Sequence, residues 1–98
     1  NALDYFQKAA EYDNRRNPRI YFDASVAFIR QGLKYPKLKQ NRFQLAIQNL
    51  KIALEINPGL WDAYKNIAYA YNELGDAATA EKYMALMQQR LQASGATN

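Results

Sequence analysis

The chain has 98 residues, of which 49% are hydrophobic, 13 are lysine or arginine, nine are aspartate or glutamate, and none is cysteine or histidine. This length allows one small domain, and the apolar content excludes a disordered chain. Without cysteine there are no disulfides or thiolate metal sites, and without histidine the commonest general base and transition-metal ligand are missing, so we expect neither an enzyme nor a cofactor site.

No apolar run in the sequence approaches the roughly 20 residues that cross a bilayer. We therefore expect no membrane insertion. No segment has the pattern of a signal or transit peptide. The compartment stays undetermined from the sequence.

Apolar residues recur at spacings of three and four, whereas the period of two that is typical of strands is nearly absent. The sequence therefore predicts an all-α protein with five amphipathic helices. Their apolar stripes are, in chain order, Ala2/Phe6/Ala9/Ala10, Tyr21/Ala24/Phe28/Ile29, Ala46/Leu50/Ala53/Leu54, Tyr64/Ile67/Ala68/Tyr71 and Ala80/Met84/Met87.

Turn and cap residues separate the predicted helices. Asn17 before Pro18 provides an N-cap and a proline suited to a first helical turn, and Pro36 disfavours helical backbone at the residue before it. The Asn-Pro-Gly sequence at 57–59 ends the third helix, and the Gly-Asp pair at 75–76 provides a turn and the next N-cap. The last helix is expected to end at about residue 93, before Gly95, with 95–98 as a frayed tail.

The helices repeat as pairs. The segment that begins at Ala46 is matched 34 residues later by the segment that begins at Ala80. The helices around Tyr21 and Tyr64 share small or apolar residues at offsets of three, four, seven and eleven. This pattern resembles the tetratricopeptide repeat, a 34-residue unit of two antiparallel helices.

The resemblance implies a right-handed α-solenoid of antiparallel helix pairs, formed as one domain over residues 1–98. Residues 1–16 would be the second helix of a leading half repeat, 17–58 a full repeat, and 59–94 the last repeat. Met87 and Gln92 depart from the family's usual alanine and closing proline. Because the leading half lacks its first helix, either further repeats precede Asn1 or the open end packs on another copy.

The middle repeat contains an insertion between its helices. Gly32 and Ala46 are fourteen residues apart, whereas Gly75 and Ala80 at the matching positions are five apart. The nine additional residues fall within 33–42 and predict about one more turn on each helix. We expect either a longer loop kept soluble by lysines or a basic contact tip. The contact residues of that tip would be Lys34, Tyr35, Lys37 and Lys39.

The basic residues are concentrated in the middle of the chain. Residues 14–54 contain nine basic residues and one acidic residue, a net charge of +8, so the remainder of the chain carries −4. A block of this kind is either a solvated face or a surface that attracts an acidic partner.

The resemblance also implies a concave face, lined by the first helix of each repeat, that holds peptides. Phe22 and Val26 stand where the family's two-carboxylate clamp needs lysine and asparagine, so the clamp is not expected. An extended or helical peptide with acidic flanks suits this face better, with Phe22 and Tyr69 as anchors. The predicted groove residues are Arg19, Phe22, Val26, Arg30, Lys65, Asn66, Tyr69 and Asn72.

These observations predict a non-catalytic module that binds another protein or a peptide, with an acidic partner favoured by the charge. The alternative is a homo-oligomeric scaffold segment that packs through its open repeat ends. Tyr35 beside Lys34 would permit stacking on a base. Nucleic acid is nevertheless not favoured as a partner, because the sequence contains no recognised nucleic-acid motif.

Overall fold

The computed structural model describes residues 17–95. This part of the chain contains four α-helices, one short 3-10 helix and no strand. The predicted helix within residues 1–16 and the end of the predicted tail lie outside the described residues. The helices are α1 (Pro18–Lys34), the 3-10 helix (Pro36–Leu38), α2 (Lys39–Ile56), α3 (Trp61–Glu73) and α4 (Ala77–Ser94).

Short-range polar contacts define the helix ends. The Asn17 side chain accepts a hydrogen bond from the backbone N–H of Arg19 at 3.0 Å, and α1 starts at Pro18. The Asp76 carboxylate caps α4 in the same way, accepting from the backbone N–H of Thr79 at 3.1 Å. Helix α4 continues to Ser94, one residue beyond the predicted end, because the left-handed backbone that stops it occurs at the next residue.

The inserted residues lengthen the α1–α2 hairpin. Helix α1 continues thirteen residues beyond Tyr21, whereas α3 continues nine beyond Tyr64. Helix α2 starts seven residues before Ala46, whereas α4 starts three before Ala80. Each arm is thus four residues longer, which is about one turn or 6 Å. The ninth inserted residue lengthens the connection between α1 and α2, which contains the 3-10 helix.

Gly32 and Gly75 occupy matching sequence positions but have different structural roles. Gly75 adopts a φ of 87° in the α3–α4 turn, a conformation that favours glycine. Gly32 lies inside α1, where an added Cβ would come within 2.6 Å of the Phe43 ring. Gly32 therefore allows the two arms of the long hairpin to approach closely.

Helix α2 is the central element of the core. Its buried residues face α1 on one side and α3 on the other, and small residues let the helix backbones approach. Ser25, also fully buried, donates its hydroxyl to the carbonyl of Phe22 at 2.6 Å. The three core clusters are Ala24/Phe28/Ala46, Phe43/Ile47/Ala70 and Leu50/Ala63/Ile67.

The helices of residues 17–95 are arranged sequentially. Helix α1 packs along α2, α2 along α3, and α3 along α4, whereas α4 does not pack along α1. This described part is therefore an open stack and not a closed four-helix bundle, in which the first and last helices would also pair. The right-handed solenoid stays a prediction.

Candidate functional site

The predicted groove residues of α1 form one strip at helical spacing. Arg19 and Arg30 are exposed, and Phe22 and Val26 between them are half-buried. The Arg19 guanidinium carbon lies 4.8 Å from the centre of the Phe22 ring, and Nη1 is 3.9 Å from Asp23 Oδ1. Of the two arginines on this strip, Arg19 has an ion pair and Arg30 has none with any residue of 17–95.

Phe22 also has a role in the core. Its side chain packs against the cluster that contains Leu50, Ala63 and Ile67. Leu50 belongs to α2, and Ala63 and Ile67 belong to α3. Phe22 is therefore partly a core residue and is not a fully exposed anchor.

The predicted residues of α3 form a second strip. Lys65, Tyr69 and Asn72 are exposed and Asn66 is half-buried. The Tyr69 ring centre lies 6.0 Å from that of the fully buried Phe43, with the planes inclined at 40°. Tyr69 still leaves 41% of its surface exposed. The core thus contacts the Tyr69 ring while a large part of this side chain stays exposed.

The two strips together are named the α1/α3 face. This face combines aromatic and aliphatic groups with cations and two amides, which can hydrogen-bond to a peptide backbone. The face comprises Arg19, Phe22, Val26 and Arg30 of α1 and Lys65, Asn66, Tyr69 and Asn72 of α3.

The predicted basic tip is divided by the structure. Lys34, Tyr35 and Lys37 are exposed at the end of the hairpin, and Lys34 Nζ lies 5.4 Å from the centre of the Tyr35 ring. Lys39 instead forms an ion pair with Glu73 of α3, with 2.8 Å between Nζ and Oε1. Lys39 therefore joins the hairpin to α3, a contact that was not predicted from the sequence.

A tyrosine–lysine cluster that was not predicted from the sequence joins α2, α3 and α4. Lys51 Nζ donates to the Tyr71 hydroxyl at 3.1 Å, and the Tyr71 and Tyr83 rings stack with centres 5.8 Å apart. The hydrogen bond to Tyr71 raises the pKa of Lys51 above its ordinary value. The sequence carried no signal for this cluster, because the members are 12 to 32 positions apart on three helices.

A shallow depression of about 390 Å³ lies beside this cluster. Burial raises the pKa of the Tyr64 hydroxyl there, which donates to the carbonyl of Pro58 at 3.1 Å. The Tyr71 hydroxyl thus links α3 to Lys51 of α2, and the Tyr64 hydroxyl links α3 to the turn that precedes it. The depression is lined by Lys51, Leu54, Glu55, Pro58, Tyr64, Tyr83, Leu86 and Arg90.

Between residues 17 and 95, no group of three or more acidic side chains is arranged to hold a metal ion. In the same part of the chain, no helix has the length and apolar character that are needed to cross a bilayer.

Comparison with known families agrees with the helical pairing. The family model of the tetratricopeptide repeat matches residues 49–82. The match covers 34 of the 98 residues, and this segment is therefore similar to one tetratricopeptide repeat. The matched repeat extends from α2 through all of α3 into the first turns of α4. Searches of curated proteins and of solved structures gave no match. Tetratricopeptide repeats generally mediate protein–protein interactions and are typically non-catalytic.

Proposed function

We propose that this chain is a non-catalytic interaction module that binds a peptide segment of another protein on the α1/α3 face. The observation that carries the proposal is Tyr69, which is held against the buried Phe43 ring while two fifths of its own surface stays exposed. Tyrosines of this kind contribute strongly to binding, because little conformational entropy is lost when they are covered.

The charges of the face define the peptide that suits it. Arg30 and Lys65 are exposed on α1 and α3. Asp23 is paired with Arg19, and Glu73 with Lys39. Because each carboxylate lies beside a cation, its repulsion of an acidic ligand is reduced. We expect a peptide with an apolar or aromatic residue against Tyr69 and acidic residues beside Arg30 and Lys65.

Self-assembly through the α4 end receives less support. Helix α2 packs on α3 through Ile47, Leu50 and neighbouring residues. Thirty-four residues later, α4 has Glu81 and Met84 at these two positions, and both are exposed. A face with this acidic substitution is less suited to receiving another helix pair. Sedimentation equilibrium should therefore show no self-association through α4.

A displayed random-peptide library, selected on the purified chain, provides ligands for the test. A selected peptide carrying a fluorophore is then titrated with wild type and variants, and its anisotropy is measured. Tyr69→Ala should weaken binding at least thirtyfold, which corresponds to about 2 kcal/mol or more. Tyr35→Ala is the matched control, because Tyr35 has a similar exposed fraction (49%) but lies outside the face.

Circular dichroism separates binding from folding in this experiment. Lys65→Glu changes an exposed side chain and should leave the thermal unfolding midpoint nearly unchanged while weakening acidic peptides. The proposed binding face would be contradicted if neither Tyr69→Ala nor Lys65→Glu changed the affinity for the selected peptides.

A further inference from the structure

The end of the long hairpin concentrates exposed apolar surface. The six residues 33–38, named the apex, are all exposed. They include Leu33, Tyr35 and Leu38, with exposed fractions of 52%, 49% and 37%. These are three of the six large hydrophobic residues that are exposed between residues 17 and 95. The concentration within six consecutive residues distinguishes the apex from isolated surface hydrophobics.

The apex also lies within the basic block. Between Asp23 and Glu55 the sequence contains six lysines and arginines and no acidic residue. Lys34 and Lys37 are exposed on the apex itself. The ion pairs of the described residues involve Arg19 and Lys39, so neither apex lysine has a carboxylate within 4 Å there. The apex thus complements a negatively charged surface.

The base of the hairpin holds the apex in place. Arg42 Nε–H of α2 donates to Gln31 Oε1 of α1 at 2.8 Å, which joins the two arms. The ion pair of Lys39 with Glu73 attaches the hairpin to α3. The close contact of Gly32 with the Phe43 ring fixes the spacing of the arms. The apex can therefore contact a surface without first becoming ordered.

The exposure and composition of the apex favour one kind of anionic partner. A helical hairpin end whose residues are all exposed offers no enclosure of its own. A phospholipid headgroup layer can deform around such a protrusion, accept apolar side chains and a tyrosine at its boundary, and attract lysines.

We propose that the apex docks on an anionic phospholipid surface, with Leu33, Tyr35 and Leu38 at the headgroup boundary and Lys34 and Lys37 against the lipid charges. This contact lies at the surface and does not span the bilayer. It goes beyond the proposed peptide binding, because the apex shares no residue with the α1/α3 face. The chain would then present a bound peptide beside a membrane.

Vesicle co-sedimentation tests the proposal with the full chain. Phosphatidylcholine vesicles that contain phosphatidylserine should bind the protein, and pure phosphatidylcholine vesicles should bind it far less. Each lysine near an anionic surface strengthens binding about fivefold, so Lys34→Gln with Lys37→Gln should weaken binding about 25-fold. Lys82→Gln with Arg90→Gln is the control of equal charge, with both cations exposed outside the apex and the α1/α3 face, and should retain more of the affinity.

A second pair of variants tests the apolar contact at constant charge. Leu33→Ser with Leu38→Ser should weaken vesicle binding about tenfold or more. Ile52→Ser with Met84→Ser is the matched control, because both residues have similar exposed fractions (37% and 38%) on other surfaces. This control should bind vesicles like wild type. Circular dichroism of all variants confirms that they are folded.

Fluorescence quenching measures directly how deeply the apex enters the lipid layer. Trp61 is the only tryptophan, so Trp61→Phe combined with Tyr35→Trp places one fluorophore on the apex. Brominated lipids should quench this fluorophore in phosphatidylserine-containing vesicles. The proposal is overturned by any of three results. These are no vesicle binding, vesicle binding that is unchanged by Leu33→Ser with Leu38→Ser, or an apex that binds an acidic peptide or a random DNA strand but not vesicles.

Discussion

Replacement of Gly32 by alanine tests the packing of the long hairpin, because two physical effects predict opposite signs. Gly32 lies inside α1, where alanine has the higher helix propensity by about 1 kcal/mol. Propensity alone therefore predicts that Gly32→Ala stabilises the protein. The structure predicts the reverse, because the new Cβ would lie 2.6 Å from Cδ1 and Cε1 of Phe43.

The size of the effect follows from the surroundings of Phe43. Favourable carbon–carbon contacts are about 3.5–4.0 Å, so the added methyl group overlaps the ring by about 1 Å. Phe43 is fully buried against Ile47, Ala70 and Tyr69, so its ring cannot move into solvent. Overpacking of this kind costs about 1–3 kcal/mol. After the gain in propensity, we expect a net destabilisation of about 1 kcal/mol.

Urea unfolding followed by far-UV circular dichroism measures this difference. In a domain of this size, about 1 kcal/mol lowers the thermal midpoint by about 4–8 °C. Phe43→Leu in the Gly32→Ala background should show a coupling free energy of at least about 0.5 kcal/mol, because the smaller side chain relieves the overlap. Stabilisation by Gly32→Ala, or the absence of coupling, would refute the reasoning.

Gly75→Ala is the matched control for the same substitution. Gly75 has a φ of 87° and no atom within 4 Å of an added Cβ. Alanine there should destabilise by about 1–2 kcal/mol through backbone strain alone. Its effect should be additive with that of Phe43→Leu, since no steric contact links the two positions.

The remaining predictions concern helix packing and two titrating groups. Ala46→Leu and Ala80→Leu should each destabilise by about 1–3 kcal/mol in urea unfolding, because both alanines are buried, whereas the exposed Ala85→Leu should be near neutral. Tyr64→Phe should cost about 1 kcal/mol through the lost hydrogen bond to Pro58. Because burial raises the pKa of Tyr64, its neutral form stabilises the fold below about pH 10, and this contribution to stability is lost as the pH rises through the folded-state pKa. Tyr64→Phe should therefore lose less stability than wild type above about pH 10. The hydrogen bonds from Thr79 lower the pKa of Asp76, so its contribution to stability is present above about pH 4 and is lost as the pH falls through the folded-state pKa. The thermal midpoint of Asp76→Asn should therefore depend less on pH below about pH 4 than that of wild type.

Features that depend on neighbouring residues in the chain were predictable from the sequence. Asn17 with Pro18 marks the start of α1, and Asp76 marks the start of α4, because a capping side chain bonds to backbone two or three residues away. The arrangement of apolar residues at helical spacing likewise predicted the helices between residues 17 and 95.

Features that depend on distant residues were not predictable in this way. Lys39 was expected in the basic tip, but its partner Glu73 is 34 positions away on α3. Phe22 was expected to be an anchor, but its packing against the core is determined by how α1 and α3 are placed on α2. The matching positions of Gly32 and Gly75 did not reveal that one contacts Phe43 and the other forms a turn.

A chemical-shift map of the isotope-labelled chain with a selected peptide tests the central claim most directly. The account predicts that the largest shifts of backbone amides occur on α1 and α3, around Arg30, Lys65 and Tyr69, with little change on the outer side of α4. Shifts concentrated on α4 around Met84, or confined to residues 33–38, would contradict peptide binding on the α1/α3 face.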